Sequence, residues 1–166
     1  MKLRFSLLAM MVILAVVAIA AAVIASHLRP SVYDSCIVST QVELDEICAD
    51  QNCIVYVDGV WSTVCKMFHP PFIECAKEGF QHGKYRPVVI DLHLGNPEHE
   101  AIVSRLKAGA DVRPYGMKSF GGNGLVFWLV NGNVVDAAWC VDLMAPDYDM
   151  AKSEKRLFDR TNANFP

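Results

Sequence analysis

Residues 53–70 have the sequence CIVYVDGVWSTVCKMFHP, and this stretch gives the strongest indication of the fold. Its first part, Cys53 to Val57, is β-branched and aromatic, which is typical of a buried strand. Asp58-Gly59 is a turn signal. From Trp61 to Lys77 the pattern favours a helix that is interrupted at Pro70-Pro71. The stretch therefore predicts a strand, a tight turn and a helix.

The rest of the chain adds strands and helices in alternation. β-Branched apolar runs indicate strands, capped runs with helical spacing indicate helices, and Asn131-Gly132 is a two-residue hairpin signal. The predicted elements are a strand at Cys36–Val38, a helix at Gln41–Ala49, a strand at Pro87–Leu94, a helix from Pro97 to Ala108, strands at Leu125–Val130 and Asn133–Trp139, and a helix at Ala151–Asp159. Strands that alternate with helices pair in parallel, and a terminal hairpin adds antiparallel strands. We therefore expect an α/β fold whose central mixed β-sheet is flanked by helices on both faces.

The first 30 residues differ from the remainder. Residues 5–25 carry no charge, and Lys2 and Arg4 precede them. An apolar helix of this length spans a membrane, and the positive charge before it favours sending the rest of the chain across. Small residues at 20–22 also offer a site for a signal peptidase. Residues 1–30 are thus predicted to be a transmembrane anchor or a signal peptide with a linker. Residues 31–166 are predicted to be one extracytoplasmic domain, in a periplasm, a lumen or the exterior, and secreted if the signal is cleaved.

Composition excludes several classes of protein. The chain is 53% hydrophobic and 20% charged, which is too apolar for a disordered protein. Its formal net charge is -3 and its pI about 5.9, so a basic nucleic-acid-binding surface is not expected. We expect contact with a membrane through residues 5–25 and no nucleic-acid partner.

The opening stretch also carries a resemblance to a known family. Val55-Tyr56-Val57, then Trp61 to Met67 (WSTVCKM), then Pro70, resembles the thioredoxin strand, its Trp-Cys-Gly-Pro-Cys-Lys-Met motif and the proline that kinks the next helix.

Two later matches follow in the same order. Tyr115-Gly116-Met117-Lys118 resembles the segment before the family's fourth strand, and Leu125–Val130 with Asn131-Gly132 resembles that strand and its hairpin. The resemblance extends from about Ser35 to Asp159. It implies a thioredoxin-like fold, thiol–disulfide chemistry on a protein or peptide client, and no cofactor.

The chain departs from the family where the chemistry begins. The family's attacking cysteine falls on Ser62, so Ser-x-x-Cys replaces Cys-x-x-Cys and the resolving cysteine remains as Cys65. The family's buried acid falls on Tyr56, with Asp58 two residues on, and no proline stands near Asn123-Gly124, where the family's cis-proline would fall. The resemblance implies an exposed Ser62 at the start of the second helix and a shielded Cys65 one turn behind it, as the two candidate catalytic residues.

Two functions are the main alternatives. In the first, a divergent membrane-associated thioredoxin-like protein of redox homeostasis exchanges disulfides through its single motif cysteine, or assists an active oxidoreductase. In the second, the fold is a redox-inactive module that binds an extended peptide or a protein partner. The groove for either partner is predicted to be lined by Trp61, Thr63, Val64, Gly122, Asn123 and Gly124.

Three of the remaining cysteines are candidates for a structural disulfide. All six cysteines follow the apolar run, and an exported domain permits disulfides. The candidates for a bridge are Cys36, Cys48 and Cys53, paired as Cys36 with Cys48 or as Cys48 with Cys53. Cys140, near the end of the last strand, is left free in this interpretation.

A third function, copper handling, depends on Cys65 and His69. They are four residues apart and share a helix face, and His93 or His99 offers a further ligand. The chain has no Cys-x-x-Cys or Cys-x-x-x-Cys, however, and a metal site normally needs three or four ligands. No metal site is therefore expected.

Overall fold

The computed structural model describes residues 31–59, 62–92, 95–110 and 124–166. Those within Val32–Pro166 belong to one compact unit. In chain order the elements are a 3₁₀ turn at Asp34–Cys36, α1 (Gln41–Cys48), β1 (Asn52–Asp58), α2 (Thr63–His82), β2 (Arg86–Asp91), α3 (Pro97–Ala108), β3 (Leu125–Val130), β4 (Asn133–Trp139), α4 (Cys140–Leu143) and α5 (Met150–Asn164). The predicted anchor or signal, residues 1–30, lies outside the described residues. Within the described ranges, no helix is long and apolar enough to cross a membrane.

The four strands form one mixed sheet in the order β2-β1-β3-β4. β1 pairs in parallel with β2, as a crossover through α2 requires, and antiparallel with β3. β3 and β4 form an antiparallel hairpin whose turn residues, Asn131 and Gly132, have φ values of 49° and 76°. Asn-Gly is a sequence that adopts such values easily, so the predicted hairpin is confirmed.

Side chains of β1 alternate between two apolar cores on opposite faces of the sheet. Ile54 and Tyr56 lie in one core with aromatic residues of α2 and with Leu157 of α5. Cys53 and Val55 lie in the other, with apolar residues of α1 and α3. We call these the α2 face and the α1 face. Helices therefore cover both faces, as the alternating pattern predicts.

The predicted strand at Cys36–Val38 is reduced to a single bridge, at Ile37. The chain makes a 3₁₀ turn at Asp34–Cys36, in which the Cys36 N–H donates to the Tyr33 carbonyl at 2.9 Å. An isolated parallel bridge between Ile37 and Val89 follows it. The turn uses the backbone hydrogen bond that strand pairing at Cys36 would need, so apolar composition alone overstated the strand.

The predicted interruption at Pro70-Pro71 is wrong, because α2 is continuous from Thr63 to His82. Each proline costs the helix a backbone hydrogen bond. Phe68 and Phe72, on either side of them, are fully buried against the sheet, and this packing offsets the cost. The helix ends at Gly83, whose φ of 65° is left-handed and favours glycine.

The other elements differ from prediction mainly at their ends. The predicted α1, α3, β3 and β4 are confirmed to within a residue. β2 ends at Asp91, and α5 extends to Asn164 instead of Asp159. The short helix α4 was not predicted, and it places Cys140 at a helix start instead of a strand end.

Candidate functional site

Ser62 caps α2 from inside the fold. Its Oγ accepts a hydrogen bond from the Cys65 N–H at 3.2 Å, and its carbonyl accepts one from the Lys66 N–H. The residue is only 3% exposed, so the expectation of an exposed Ser62 is wrong. Serine is a strong N-cap because its short hydroxyl reaches the unpaired N–H groups of the first turn. In this position the hydroxyl orders the start of the helix.

Cys65 lies in the first turn of α2 and is 1% exposed. Its Sγ accepts a hydrogen bond from the Gly59 N–H at 3.3 Å. The Cys140 thiol and the Ser62 hydroxyl also act on the pKa of this thiol as hydrogen-bonding neighbours. The Cys140 contact contributes most, and together these donors lower the pKa of Cys65 to about 6 although burial opposes them. The N-terminal end of a helix also stabilises negative charge, which favours the thiolate of Cys65.

Cys140 supplies a second sulfur to this site. It follows β4 directly, is fully buried, and its N–H donates to the Gly124 carbonyl at 2.8 Å. Burial raises the pKa of Cys140 most, and the contact with Cys65 raises it further. The Cys140 thiol therefore keeps its proton and donates it toward Cys65.

Gly124 is the residue that lets the two sulfurs meet. A Cβ at this position would lie 2.7 Å from the Cys65 Sγ, 2.9 Å from the Cys140 Sγ and 2.7 Å from the Val57 carbonyl oxygen. Any side chain there would have to displace backbone or both thiols. Glycine immediately before β3 is thus a packing requirement of the thiol pair.

A buried carboxylate lies close to Cys65. Asp58, at the end of β1, is 8% exposed and accepts hydrogen bonds from the hydroxyls of Tyr33 (2.8 Å) and Tyr56 (3.2 Å). The Tyr56 hydroxyl is also 3.3 Å from the Cys65 carbonyl oxygen. His69 Nδ1 is 4.0 Å from the carboxylate, and its ring stacks on Tyr33. Burial raises the pKa of both tyrosines, so both hydroxyls remain protonated and donate.

The predicted groove is only partly visible. Trp61, Gly122 and Asn123 lie outside the described residues. Thr63 is exposed at the first residue of α2, and Val64 is half-buried and packs against the α2-face core. Gly124 is buried beside the two sulfurs. The groove remains a prediction.

The structural disulfide candidates separate into two groups. All six cysteines are free thiols in this structure. Cys36 lies in the α2-face core and Cys48 in the α1-face core, so the sheet separates them and the fold does not allow that pairing. Cys48 and Cys53 share a thiol hydrogen bond, so their pairing stays a prediction.

His69 and His99, the predicted ligands that the structure describes, do not form a metal site with Cys65. Among the described residues, no three His, Cys, Asp or Glu side chains are placed to hold a metal ion together. The two ring nitrogens of buried His99 face main-chain carbonyls of Asp91 (2.9 Å) and Val38 (3.0 Å). His93 lies outside the described residues. His69, a predicted ligand, lies near the Asp58 carboxylate, and its ring stacks on the ring of Tyr33.

Sequence reasoning missed Cys140 as the neighbour of Cys65. The two are 75 positions apart, and no local spacing connects them. The topology offered a signal. Cys140 directly follows β4, β4 pairs with β3, and β3 pairs with β1, from which the chain leads into α2. Asp58 was noted, but its contacts with Tyr33 and His69 were not expected.

Comparisons with known proteins support the fold. No family model matches the chain, and no curated protein matches it. A solved structure of a thioredoxin mutant from Halobacterium salinarum is similar, with a TM-score of 0.50 and 18% identity, over 78% of this chain and 89% of that one. Mitochondrial thioredoxin 3 of Saccharomyces cerevisiae has a TM-score of 0.48 and 16% identity, over 78% and 99% of the two chains. A thioredoxin from Trypanosoma brucei brucei has a TM-score of 0.45 and 13% identity, over 75% and 89%.

The chain therefore has a thioredoxin-like α/β fold, as the resemblance in its sequence implies. Fold alone does not assign an activity, which depends on Cys65 at the start of α2 and on the groups around it.

Proposed function

We propose that this protein exchanges disulfides with a protein or peptide client and that Cys65 is its reactive thiol. The observation that carries the proposal is the set of donors around the Cys65 Sγ: the Gly59 N–H, the Ser62 hydroxyl and the Cys140 thiol. They stabilise a thiolate, which is the nucleophile in disulfide exchange. The fold belongs to a class in which such chemistry is expected.

The proposed step is a single displacement. The Cys65 thiolate attacks one sulfur of the client disulfide and forms a mixed disulfide, while the other client sulfur leaves as a thiolate and takes a proton from water. Since Cys65 is 1% exposed, the attack occurs from locally opened states, and it is slower than at an exposed thiol. Ser62 provides no sulfur to release the client.

The first test compares Cys65 with Cys75, a fully buried thiol on the same helix. The folded full chain is treated with glutathione disulfide at pH 7, quenched with acid and mapped by mass spectrometry. Cys65 should be oxidised well before Cys75, whose pKa is raised to about 11 by burial. If the two thiols are oxidised at the same rate, and only after denaturant has unfolded the chain, the proposal is ruled out.

The second test restores the family's missing sulfur. Ser62→Cys should speed reduction of insulin by dithiothreitol, because a cysteine at the first cap position adds an attacking thiol beside Cys65. Thr63→Cys is the matched control, since it adds an exposed thiol one residue further on. Equal acceleration by both variants would show that position 62 has no special role.

A redox-inactive peptide-binding module is the second candidate. The observation in its favour is that Ser62 and Cys65 are both buried, at 3% and 1% exposure. It predicts that Cys65→Ser leaves client binding unchanged, whereas disulfide exchange predicts that this variant loses every covalent client adduct. Trapping of clients by the full chain and by Cys65→Ser distinguishes the two.

The proposal also places the protein at a membrane. The uncharged run at residues 5–25, preceded by Lys2 and Arg4, supports an anchor or export signal with residues 31–166 on the extracytoplasmic side. Carbonate extraction of membranes that contain the full chain should leave it in the pellet if the segment is retained, and mass spectrometry should show a shortened N-terminus if it is cleaved. Recovery of the uncleaved chain in the cytosol would contradict both.

A further inference from the structure

We propose that Cys140 is the resolving cysteine for Cys65, so that the two form one reversible disulfide between the start of α2 and the residue after β4. The inference deepens the proposed function and rests on it for the client disulfide. It gives the protein a two-cysteine redox site whose sulfurs come from distant parts of the chain.

The main chain holds both sulfurs at one place. The Cys65 and Cys140 Sγ atoms both lie within 3 Å of the position that a Cβ on Gly124 would take. The contact between the two thiols lowers the pKa of Cys65 and raises that of Cys140, as two adjacent sulfurs require. Cys140 is fixed by its own N–H bond to the Gly124 carbonyl, and Cys65 by the cap from Ser62.

The other cysteines have different partners. The Cys36 thiol donates to the Val32 carbonyl at 3.0 Å, and Cys75 is 3.2 Å from the Tyr85 hydroxyl. Cys48 and Cys53 are neighbours of each other on the α1 face, away from Cys65. Cys140 is therefore the thiol that is placed to reach a mixed disulfide on Cys65.

The exchange balances with a client disulfide as the oxidant. The Cys65 thiolate first displaces one client thiolate and forms the mixed disulfide. Cys140 then loses its proton to water and attacks the Cys65 Sγ, so that the bond from Cys65 to the client breaks and the second client sulfur leaves as a thiolate, which is protonated by water in turn. The client gains two electrons and becomes a dithiol, and Cys65 and Cys140 lose two and become a disulfide.

The test uses the full chain in detergent with glutathione disulfide as the probe. Samples are quenched with acid over time, alkylated, digested and mapped without reduction. In the wild type we expect a Cys65–Cys140 disulfide and little glutathione on Cys65 at any time. Cys140→Ser should stop at a stable adduct of one glutathione per Cys65, and Cys65→Ser should leave Cys140 unmodified. Cys75→Ser, the matched control, should behave as the wild type.

The outcomes separate the inference from the proposed function. If the wild type and Cys140→Ser accumulate the same adduct on Cys65, Cys65 is reactive but Cys140 does not resolve it, and the inference is overturned. If Cys65 gains no adduct and no disulfide in any folded variant, the proposed function fails and the inference fails with it.

The folded state of the variants is checked by circular dichroism. If Cys140→Ser does not fold, Cys140→Ala replaces it, since it leaves a smaller side chain beside Gly124. If neither folds, the wild-type map decides: a Cys65–Cys140 linkage supports the inference, and a persistent glutathione adduct without that linkage contradicts it.

Discussion

The sheet separates two thiol pairs that have opposite surroundings. Cys48 and Cys53 share a hydrogen bond on the α1 face, and Cys65 and Cys140 share one on the α2 face. All four are buried. Burial and a thiol neighbour are therefore common to both pairs and do not distinguish a reactive site from a structural one.

The difference lies in the backbone around each sulfur. Cys48 is the last residue of α1, where helix carbonyls disfavour negative charge, and the Cys53 Sγ faces the Ile47 carbonyl at 3.8 Å. The hydrogen bond with Cys48 and burial raise the pKa of Cys53. Cys65 instead lies at a helix start and accepts an N–H from Gly59. The contact with Cys53 lowers the pKa of Cys48, so each pair holds one sulfur whose pKa is lowered. In the α2-face pair that sulfur also has a helix start and a backbone N–H beside it.

The largest expected effect separates the pairs by the loop each disulfide would close. Cys65–Cys140 closes 76 residues and Cys48–Cys53 closes six. Loop-closure entropy gives about 4 kcal/mol of added stability for the first and about 2 kcal/mol for the second. Urea unfolding of oxidised and reduced chains measures each pair in a background where the other pair is serine. Equal stabilisation would show that loop entropy does not control the difference.

Gly124→Ala should disrupt the α2-face pair alone. The new Cβ would meet both sulfurs below 3 Å, and we expect a loss of about 2 kcal/mol in the free energy of unfolding. Gly109→Ala is the control, because its Cβ would be an ordinary 3.5 Å from Val134. Urea unfolding checks both. Partial recovery of Gly124→Ala by Cys140→Ala would assign the strain to the sulfurs, and a similar loss for Gly109→Ala would contradict this account.

The N-caps of the two helices offer a smaller, matched comparison. Ser62 caps α2, and Thr40 caps α1 by accepting from the Glu43 N–H at 3.1 Å. Each change to alanine should cost about 1 kcal/mol of stability. Ser62→Ala should also raise the pKa of Cys65, because it removes one donor to the sulfur, while Thr40→Ala should not. Thiolate absorbance against pH measures this, and identical titrations would contradict the assigned role of Ser62.

The two pairs should also differ in how their reaction rate with glutathione disulfide depends on pH. Since the pKa of Cys65 is lowered to about 6, its reaction with glutathione disulfide should rise from pH 5 to 7 and level off above. Below that pKa the sulfur is protonated and does not attack. Cys53, whose pKa is raised, should show no such plateau near neutral pH. A Cys65 rate that still rises steeply at pH 8 would show that its thiolate is not stabilised.

Local patterns were sufficient for most of the elements. Asn131-Gly132 specifies its hairpin turn, and Asn96 with Pro97 specifies the start of α3, because caps and turns depend on neighbouring residues. The prediction failed at Pro70-Pro71, where the cost is local but the compensating burial of Phe68 and Phe72 is tertiary. It was only partly right at Cys36–Val38, because composition does not report which backbone groups are already paired.

The sequence by itself determined the mixed α/β sheet, the serine three residues before Cys65, and the closeness of Cys48 to Cys53. All of these depend on residues that are near one another in the chain. The tertiary structure alone decided that Ser62 is buried, that Asp58 meets Tyr33 and Tyr56, and that Cys140 lies against Cys65. The reason is that β3 and β4 must be paired beside β1 before residues 75 positions apart can share a hydrogen bond.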